Sequence, residues 1–255
     1  MKKILASDLD GTLLKDNTVP NYNINSLNNL KNSGGIFIIA TGRPFNGVNP
    51  LIQKYSLEVD YNILLNGALI IDNSNNIILH KTIPFDIIKK ISQHTENYSP
   101  KISLETGFKT YTLGELHDNL PYDEKEIIND IATIKNKEIS LVSMYFENTP
   151  IKTINEVSTS INTLFGSHCV AYRNTNYIDI VPIGCSKGNA IDYICSNINA
   201  NYDNLYTIGD SLNDISMFNI TKNSFTFHTS EDILKNYVSN LVNSVSQCIE
   251  DYIIY

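Results

Sequence analysis

Short apolar runs that stop abruptly at polar or glycine residues are the feature of this sequence that most restricts its fold. Residues Ile36–Ala40 form such a run, rich in β-branched side chains, and it ends at Thr41-Gly42. A continuous apolar run predicts a parallel strand that helices cover on both faces. Comparable runs lie at 3–8, 63–65 and 204–208, and segments with helical features follow them at 22–32, 44–55 and 212–218. This alternation predicts an α/β fold with a doubly wound, mostly parallel, Rossmann-like sheet.

The middle of the chain departs from this alternation. From Pro84 onward the patterns predict a helix, two short strands, a polar irregular stretch, a strand, a helix and two more strands, at 84–97, 101–105, 108–112, 113–137, 139–146, 150–164, 168–173 and 177–181. Paired strands beside helices are typical of an α+β unit with an antiparallel sheet. We therefore predict a second domain of this kind, inserted into the first.

The alternation resumes after Pro182. The predicted elements are helix 186–198, strand 204–208, helix 212–218, strand 224–227, helix 230–236 and a helix around 244–254. Strands that alternate with helices on both sides of an insertion belong to one sheet. The predicted domains are therefore a core of 1–82 and 183–255 and an inserted α+β domain of 83–182.

The charge balance and the lack of long apolar segments exclude several classes of protein. The chain has 19 Lys and Arg against 27 Asp and Glu, a net charge of −8, which is opposite to a nucleic-acid-binding surface. No stretch approaches the ~18 apolar residues that cross a bilayer, and Asp8 precedes any apolar signal segment. The four cysteines include no C-x-x-C pair, which favours buried, reduced thiols. We expect a cytoplasmic protein that binds neither nucleic acid nor membrane, and its oligomeric state is left open.

Residues of the types that often serve in active sites follow several predicted strands, at the point where each strand ends. They are Asp8 and Asp10 after the first strand, Thr41 after the second, Asp210 and Asp214 after a late strand, and Lys187 at the start of a helix. Each alone is typical of a turn, a helix cap or a solvated helix end. Because the carboxyl ends of parallel strands share one crevice, we expect these side chains to meet there.

These residue types suit phosphoryl transfer. A carboxylate such as Asp8 can attack phosphorus in line and form an acyl phosphate when a cation and fixed donors neutralise the equatorial oxygens. Mg²⁺ prefers oxygen ligands, which Asp8 and Asp210 offer. Gly11 permits a turn that brings Asp10 over the substrate as general acid and base. The donors predicted to hold the phosphate are loop N–H groups, the Thr41 hydroxyl and the Lys187 ammonium.

Four motifs resemble, in order and spacing, those of the haloacid dehalogenase superfamily of phosphatases. They read Asp8-Leu-Asp10-Gly11-Thr12-Leu13-Leu14, Thr41-Gly42-Arg43, Lys187-Gly188 and Gly209-Asp210-Ser211-Leu212-Asn213-Asp214. The long segment between the second and third motifs, together with Asn66-Gly67-Ala68, resembles the Cof-type group, which carries an α/β cap after the third strand. The resemblance implies a Mg²⁺-dependent phosphohydrolase that acts through an aspartyl phosphate. The implied substrate is a small phosphorylated metabolite, a sugar phosphate or a phosphorylated cofactor.

The resemblance also implies a role for each matching residue. Asp8 is the implied nucleophile and Asp10 the implied acid and base. The implied magnesium ligands are the carboxylates of Asp8 and Asp210, the backbone carbonyl of Asp10, and Asp214 as a direct ligand or as an anchor of the ligands. The implied phosphate contacts are Thr41, Gly42, Lys187 and Asn213. Arg43 is either a substrate contact or a salt-bridge residue, and Asn66 is either a ligand contact near the hinge or a cap before Gly67.

One segment departs from the family pattern. The family usually has a strand of small residues that leads to an Asn-Ala pair, whereas this chain reads Ser224-Phe-Thr-Phe-His228-Thr229-Ser230. We expect His228 to be structural, and the four motifs lie elsewhere. The departure puts the local loop geometry and the substrate preference in question.

Three other functions are weighed against the phosphohydrolase. A phosphosugar mutase of the phosphomannomutase type carries a similar cap and is the nearest alternative. A non-catalytic binding protein of this fold is disfavoured, because the pair Asp8 and Asp10 is intact. A phosphoacceptor signalling domain also uses strand-end Asp and Mg²⁺, but it has no need of a long insertion or of a second Asp two residues on.

Overall fold

The structure, a computed structural model, describes residues 2–115 and 125–254. Its larger sheet has the strand order β14 (Asn240–Val242), β13 (Asn223–Phe227), β12 (Leu205–Ile208), β1 (Ile4–Ser7), β2 (Ile36–Ala40), β3 (Tyr61–Leu64), β4 (Leu69–Asp72) and β5 (Ile77–His80). Neighbours from β14 to β3 run parallel, and β4 and β5 are antiparallel additions at one edge. The doubly wound, mostly parallel α/β core is therefore confirmed.

Helices cover both faces of this sheet because alternate strand residues point to opposite sides. In β1, Leu5 packs into one apolar cluster while Ile4 and Ala6 pack into the other, and all three are at most 2% exposed. The first cluster takes side chains from α1 (Asn21–Asn32), α2 (Phe45–Tyr55) and α8 (Val245–Cys248). The second takes them from α5 (Lys187–Asn197), α6 (Ile215–Phe218) and α7 (Asp232–Lys235). Burial on both faces explains why these strands read as continuous apolar runs.

A second sheet lies within the inserted segment. Its strand order is β10 (Cys169–Asn174), β11 (Tyr177–Pro182), β9 (Leu141–Tyr145), β6 (Lys101–Glu105), β7 (Thr110–Leu113) and β8 (Lys125–Ile128). All neighbours are antiparallel except β7 and β8. Two helices, α3 (Phe85–Thr95) and α4 (Ile151–Phe165), pack on its apolar face. The predicted α+β character of the insertion is confirmed, and its boundaries at 82/83 and 182/183 stay a prediction.

The second sheet is docked over the carboxyl ends of the first. The backbone N–H of Phe45, at the start of α2, donates to the carbonyl of Gly107 in the β6–β7 turn at 2.7 Å. Gly107 has a φ of +100°, and a Cβ there would collide with the side chain of Leu69. The Tyr172 hydroxyl on β10 donates to the Cys185 carbonyl at 2.9 Å. These contacts hold a cavity between the two sheets.

Several elements differ from the sequence prediction. The stretch 113–137, predicted as irregular, contains β8 and a 3₁₀ helix at Ile131–Ile134, and its residues 116–124 lie outside the described part of the chain. The three-residue strand β14 was not predicted, because so short a run carries no periodicity. The predicted helix 244–254 is divided into α8 and a π-helical turn at Ile249–Ile253.

The remaining structural expectations concern membranes and thiols. Within the described ranges, no helix combines the length and the apolar character needed to cross a bilayer. The four cysteines are buried free thiols, as expected: Cys169, Cys185, Cys195 and Cys248.

Candidate active site

The floor of the cavity begins at Asp8, the residue that follows β1. Its backbone N–H donates to the carbonyl of Ile208, the last residue of β12, at 2.9 Å, so the parallel ladder fixes its position. The side chain is 5% exposed and lines a cavity of about 330 Å³ between the two sheets. Burial raises the pKa of Asp8 to about 6, although the ammonium of Lys187 acts in the opposite direction. Asp8 therefore presents a fixed carboxyl group to the cavity.

Lys187 is a buried cation that joins two of the predicted site residues. It is the first residue of α5, where the Ser186 side chain caps the helix by accepting the N–H of Asn189. Its Nζ lies 2.7 Å from Oδ1 of Asp8 and 2.6 Å from Oδ1 of Asp214. Burial alone would lower the pKa of Lys187, but Asp214 and Asp8 outweigh it and raise the pKa above the ordinary value. Lys187 is therefore charged at neutral pH.

Asp214 organises the loop that follows β12. Its Oδ2 accepts the backbone N–H groups of Asp210 and Ser211, both at 2.9 Å, while its Oδ1 accepts from Lys187. Both oxygens are engaged by donors, and burial raises the pKa of this carboxyl. A Cβ at Gly209 would overlap the Asp214 carboxylate, so a glycine is required at this position. This geometry suits Asp214 as an anchor of the site.

Asp210 faces Asp8 across the floor. Its Oδ1 accepts a hydrogen bond from the Thr12 hydroxyl at 2.7 Å. Gly11 makes this approach possible, because it has a φ of +79° and a Cβ there would overlap the Asp210 carboxylate. Burial, followed by the charge of Asp8, raises the pKa of Asp210 to about 6. Thr12 is a positioning residue that lies inside the first motif but was given no role in the sequence analysis.

Three carboxylates of the floor fit a divalent cation. Asp8, Asp210 and Asp214 each place one oxygen within 4.8 Å of the others, and one ammonium, Lys187, faces this group. Burial, with a smaller contribution from neighbouring carboxylates, raises the pKa values of Asp8 and Asp210, and a bound cation would offset both effects. Hard oxygen donors with excess negative charge are what Mg²⁺ binds. The residues present therefore fit the predicted metal, with Asp8 and Asp210 as the carboxylates that the ammonium and backbone N–H groups of the protein engage less fully than Asp214.

Asp10 and Arg43 form an ion pair at the edge of the cavity. Arg43 Nε donates to Asp10 Oδ2 at 2.7 Å, and a second guanidinium nitrogen bonds Asp10 Oδ1. The Arg43 side chain is buried against the Gly47 carbonyl, whereas the Asp10 side chain is 51% exposed. Of the two roles considered for Arg43, the structure shows the salt bridge, and its partner is the predicted acid and base.

Thr41 and Gly42 follow β2, as the apolar run predicted. Thr41 is 1% exposed, its hydroxyl accepts the N–H of Arg43 at 3.1 Å, and its carbonyl accepts the N–H of Asn66 at 3.0 Å. Both residues line the cavity beside Asp8. The turn thus places Thr41 and Gly42 at the same cavity as Asp8.

Asn66 connects the floor to the second sheet. It lies in a short 3₁₀ turn after β3 with a φ of 51°, in the left-handed region. Its Nδ2 donates to Oδ2 of Asp179 on β11 at 3.2 Å, and its Oδ1 accepts from Asn213 Nδ2 at 3.1 Å. The side chain of Asn66 thus bridges the floor and the second sheet, and its contact with a ligand stays a prediction. Asn213 lines the cavity.

The departure from the family pattern lies away from this cavity. His228 and Thr229 are exposed and are absent from the described residues that line it. The His228 N–H donates to the Val242 carbonyl at 3.2 Å, which joins the end of β13 to β14. This contact agrees with a structural His228.

The upper wall of the cavity is made by residues that the sequence analysis missed. Ser103 and Glu105 on β6, Ser143 on β9 and Asp179 on β11 all line it. Glu105 is 2% exposed, and burial raises its pKa to about 8. The alternation of polar and apolar residues in Lys101-Ile-Ser-Leu-Glu105 was the available signal. This alternation does not reveal whether the polar face of the strand is exposed to solvent or covered by the rest of the protein.

Comparison with known proteins identifies the family. The sequence model of the haloacid dehalogenase-like hydrolases matches residues 5–249. The chain belongs to this family, and it is a phosphatase. The resemblance drawn from the four motifs, including the Cof-type cap, is confirmed.

Individual relatives are distant in sequence and close in fold. A Buchnera aphidicola protein is 27% identical over 250 residues, covering 94% of this chain and 92% of the relative. The Bacillus subtilis 5-amino-6-(5-phospho-D-ribitylamino)uracil phosphatase YcsE is 23% identical, with 99% and 96% covered. The solved structure of the subclass IIB sugar phosphatase BT4131 superposes with a TM-score of 0.84 at 21% identity, covering 98% of this chain and 99% of that one.

Proposed function

We propose that this phosphatase removes phosphate from a small phosphorylated metabolite by forming an aspartyl phosphate on Asp8, with Mg²⁺ as cofactor. The observation that carries the proposal is the position of the Asp8 carboxylate, which is buried, faces the cavity and is held 2.7 Å from the ammonium of Lys187. A carboxylate fixed in this way is oriented for in-line attack on a phosphate bound between the two sheets.

The floor supplies positive charge and donors to the transferred phosphoryl group. Lys187 is held in place by Asp214, so its ammonium needs no reorganisation during the reaction. Thr41 and Gly42 line the cavity from the adjacent strand end, and Asn213 lines it from the loop after β12. When Mg²⁺ is bound by Asp8, Asp210 and the Asp10 carbonyl, with Asp214 as anchor, it neutralises charge on the phosphate oxygens.

Asp10 is proposed to move the proton. It protonates the leaving oxygen when the ester bond breaks, and it then takes a proton from the water that hydrolyses the acyl phosphate. Its carboxylate lines the cavity, and Arg43 holds it through two hydrogen bonds. Arg43 thus acts as a positioning residue for the acid and base.

The substrate class is proposed from the cavity and from the relatives. A volume of about 330 Å³ lies at the small end of the range for ligand pockets. YcsE acts on a ribityl phosphate compound by its name, and BT4131 is described as a sugar phosphatase. A sugar phosphate or a phosphorylated cofactor of similar size is therefore the proposed substrate, and the protein is proposed to work in the cytoplasm without nucleic acid or membrane.

The direct test is phosphate release across a panel of metabolite monophosphates, with Mg²⁺ or with a chelator. We expect release with Mg²⁺ and none with the chelator. Asp8→Asn is the control, because it keeps the shape of the side chain and removes the nucleophile. Turnover by the Asp8→Asn protein, or equal rates with Mg²⁺ and with chelator, would contradict the proposal.

A further inference from the structure

The upper wall of the cavity carries polar side chains that the proposed reaction leaves unused. Strand alternation sends one set of apolar residues toward α3 and α4, and the polar residues between them toward the cavity, which Leu141 of β9 also lines. The apolar set is Ile102, Leu104, Val142, Met144, Ile178 and Ile180. We call Ser103, Glu105, Ser143 and Asp179 the ceiling. Register pairing places Ser143 directly between Ser103 and Asp179, so these side chains form a row across three strands.

Ser103 is the member of the ceiling that points to a ligand. It is 3% exposed, it lines the cavity, and its hydroxyl has no hydrogen-bond partner in residues 2–115 and 125–254. Burying a hydroxyl without a partner costs stability, so native proteins rarely retain one without a use. Ser143, its neighbour in the row, differs because its hydroxyl donates to Asp179 Oδ1 at 2.8 Å.

The carboxyl groups of the ceiling have spare acceptor capacity. Asp179 accepts from Ser143 and from Asn66, and Glu105 accepts from the Thr110 hydroxyl at 2.7 Å. An ionised carboxylate has about four lone-pair sites, and a protonated carboxyl group keeps part of this acceptor capacity, so each group can accept further hydrogen bonds. The ceiling therefore suits a ligand that brings donors, such as hydroxyl or ammonium groups.

Among the described residues, the cavity offers a second anion no cation that is not already paired. Arg43 is the one cation among the described residues that line the cavity, and Asp10 already engages it. Lys187 lies in the floor between Asp8 and Asp214. The sequence of 116–124, Leu-His-Asp-Asn-Leu-Pro-Tyr-Asp-Glu, contains no Lys or Arg. An anionic group brought to the ceiling would lose its hydration without gaining an ion pair.

We propose that the ceiling, with Ser103 as its ligand-binding hydroxyl, selects substrates whose non-phosphate part carries hydroxyl or ammonium donors and rejects those that carry a second anionic group. This inference rests on the proposed function. It adds which phosphorylated molecules the site accepts and which it rejects. It also argues against the phosphosugar mutase, because a mutase that works through a phosphoenzyme must hold a bisphosphate.

The test uses two substrates that differ at one carbon, sorbitol 6-phosphate and 6-phosphogluconate, together with acetyl phosphate. The first two end in a hydroxymethyl group or a carboxylate, and acetyl phosphate lacks the polyol chain altogether. We expect kcat/KM for sorbitol 6-phosphate to exceed that for 6-phosphogluconate by about tenfold or more, the cost of one unpaired buried charge. Equal values would overturn the proposal.

Two serine variants form the matched comparison. Ser103→Ala is expected to lower kcat/KM for sorbitol 6-phosphate roughly 3- to 10-fold, to leave acetyl phosphate unchanged, and to leave the melting temperature unchanged or higher. Ser143→Ala is expected to lower the melting temperature, because it removes a hydrogen bond made within the protein. Loss of stability in Ser103→Ala, or no loss of kcat/KM for sorbitol 6-phosphate, would overturn the role of Ser103.

Failure of the proposed function gives a different pattern. If no substrate, including acetyl phosphate, releases phosphate, the phosphatase mechanism fails while the ceiling is still open to test. Isothermal titration calorimetry of sorbitol 6-phosphate and 6-phosphogluconate with the wild-type protein and Mg²⁺ then tests the ceiling proposal. Tighter binding of the sorbitol compound supports the ceiling proposal, and equal binding, or binding of neither, overturns it.

Discussion

The two walls of the cavity are built on opposite principles. In the floor, the charged side chains are held by partners within the protein: Lys187 lies between Asp8 and Asp214, Arg43 holds Asp10, and the Thr12 hydroxyl holds Asp210. In the ceiling, the Ser103 hydroxyl has no partner in the described part of the chain, and the carboxyl groups keep free acceptor sites. The floor also follows parallel strands buried on both faces, whereas the ceiling is one face of an antiparallel sheet.

This difference separates two tasks. A network in which charges fix one another gives a constant geometry for the phosphoryl group that all substrates share. A wall with unused hydrogen-bonding groups recognises the part of the substrate that varies. We therefore expect changes in the floor to affect every substrate alike and changes in the ceiling to alter the ranking of substrates.

Of the variants that test the difference between floor and ceiling, Asp10→Asn is expected to have the largest effect on catalysis. Loss of general acid and base catalysis should lower kcat for every substrate by about 10²–10⁴-fold. The fold should be little affected, because the Asp10 side chain is half exposed and Asn can still accept a hydrogen bond from Arg43. The measurement is steady-state kinetics on the substrate panel, with Asp16→Asn, a nearby exposed residue, as control. A factor that differs widely between substrates would contradict the division between floor and ceiling.

Lys187→Ala should act on both stability and activity. Removing the ammonium leaves Asp8 and Asp214 buried without their partner, which should lower the free energy of unfolding of the metal-free protein by about 3–5 kcal/mol. Loss of this fixed charge should lower kcat/KM roughly 10²–10³-fold for all substrates.

Denaturant unfolding and the substrate panel measure these two effects. The control is Lys222→Ala, which removes an exposed ion pair to Asp203 and should change little. A change in the ranking of substrates by kcat/KM in Lys187→Ala would contradict the division of tasks between floor and ceiling.

Mg²⁺ should stabilise the folded protein by relieving repulsion among the floor carboxylates. At a concentration one hundred times its Kd, the metal should raise the free energy of unfolding by about 2.7 kcal/mol. Ca²⁺ should also bind but support little turnover, because its larger and looser coordination positions the reacting groups poorly. Thermal unfolding and phosphate release with each ion test this. Equal turnover with Mg²⁺, Ca²⁺ and chelator would refute the metal assignment.

The smallest expected effect is the pH dependence of stability. Asp8 and Asp210 have folded pKa values of about 6 and Glu105 of about 8, all above their ordinary values, so folding takes up protons. The free energy of unfolding of the metal-free protein should therefore rise as pH falls, by at most about 1.4 kcal/mol per pH unit for each proton.

Glu105 contributes to this rise between pH 8 and pH 6, and Asp8 and Asp210 contribute around and below pH 6. Burial also raises the pKa values of Asp179 and Asp214. Glu105→Gln should therefore lower the slope of the profile between pH 8 and 6 and leave the part below pH 6. Denaturant unfolding of both proteins across this range measures the difference. Identical slopes between pH 8 and 6 would contradict the assignment.

The sequence predicted the floor better than the ceiling for physical reasons. Asp8, Thr41 and Asp210 follow buried parallel strands, and the topology of such a sheet brings strand ends together whatever the details of packing. Ser103 and Glu105 lie within a strand whose alternation fits either a solvated or a covered face. Only docking of the second sheet, through contacts such as Phe45 to Gly107, decides between them.

The hydrogen-bond partners of individual side chains also could not be predicted from the sequence. Nothing in the spacing of Asp10 and Arg43 indicates which of two roles the arginine has, because the choice depends on the turn at Gly11. Asn66 was considered as a cap or a ligand contact, and it proves to bridge Asn213 and Asp179. Such contacts arise between segments far apart in the chain, where local patterns carry no information.

The most direct test of the central claim is to trap the phosphorylated protein. Asp10→Asn should accumulate the acyl phosphate with a reactive phosphate ester, because its hydrolysis lacks a general base. Mass spectrometry of rapidly quenched, acid-stabilised protein should then find the phosphoryl group on the peptide that contains Asp8. The double variant Asp8→Asn with Asp10→Asn should carry none. A phosphoryl group on the double variant, or on any other residue of the Asp10→Asn protein, would contradict the account.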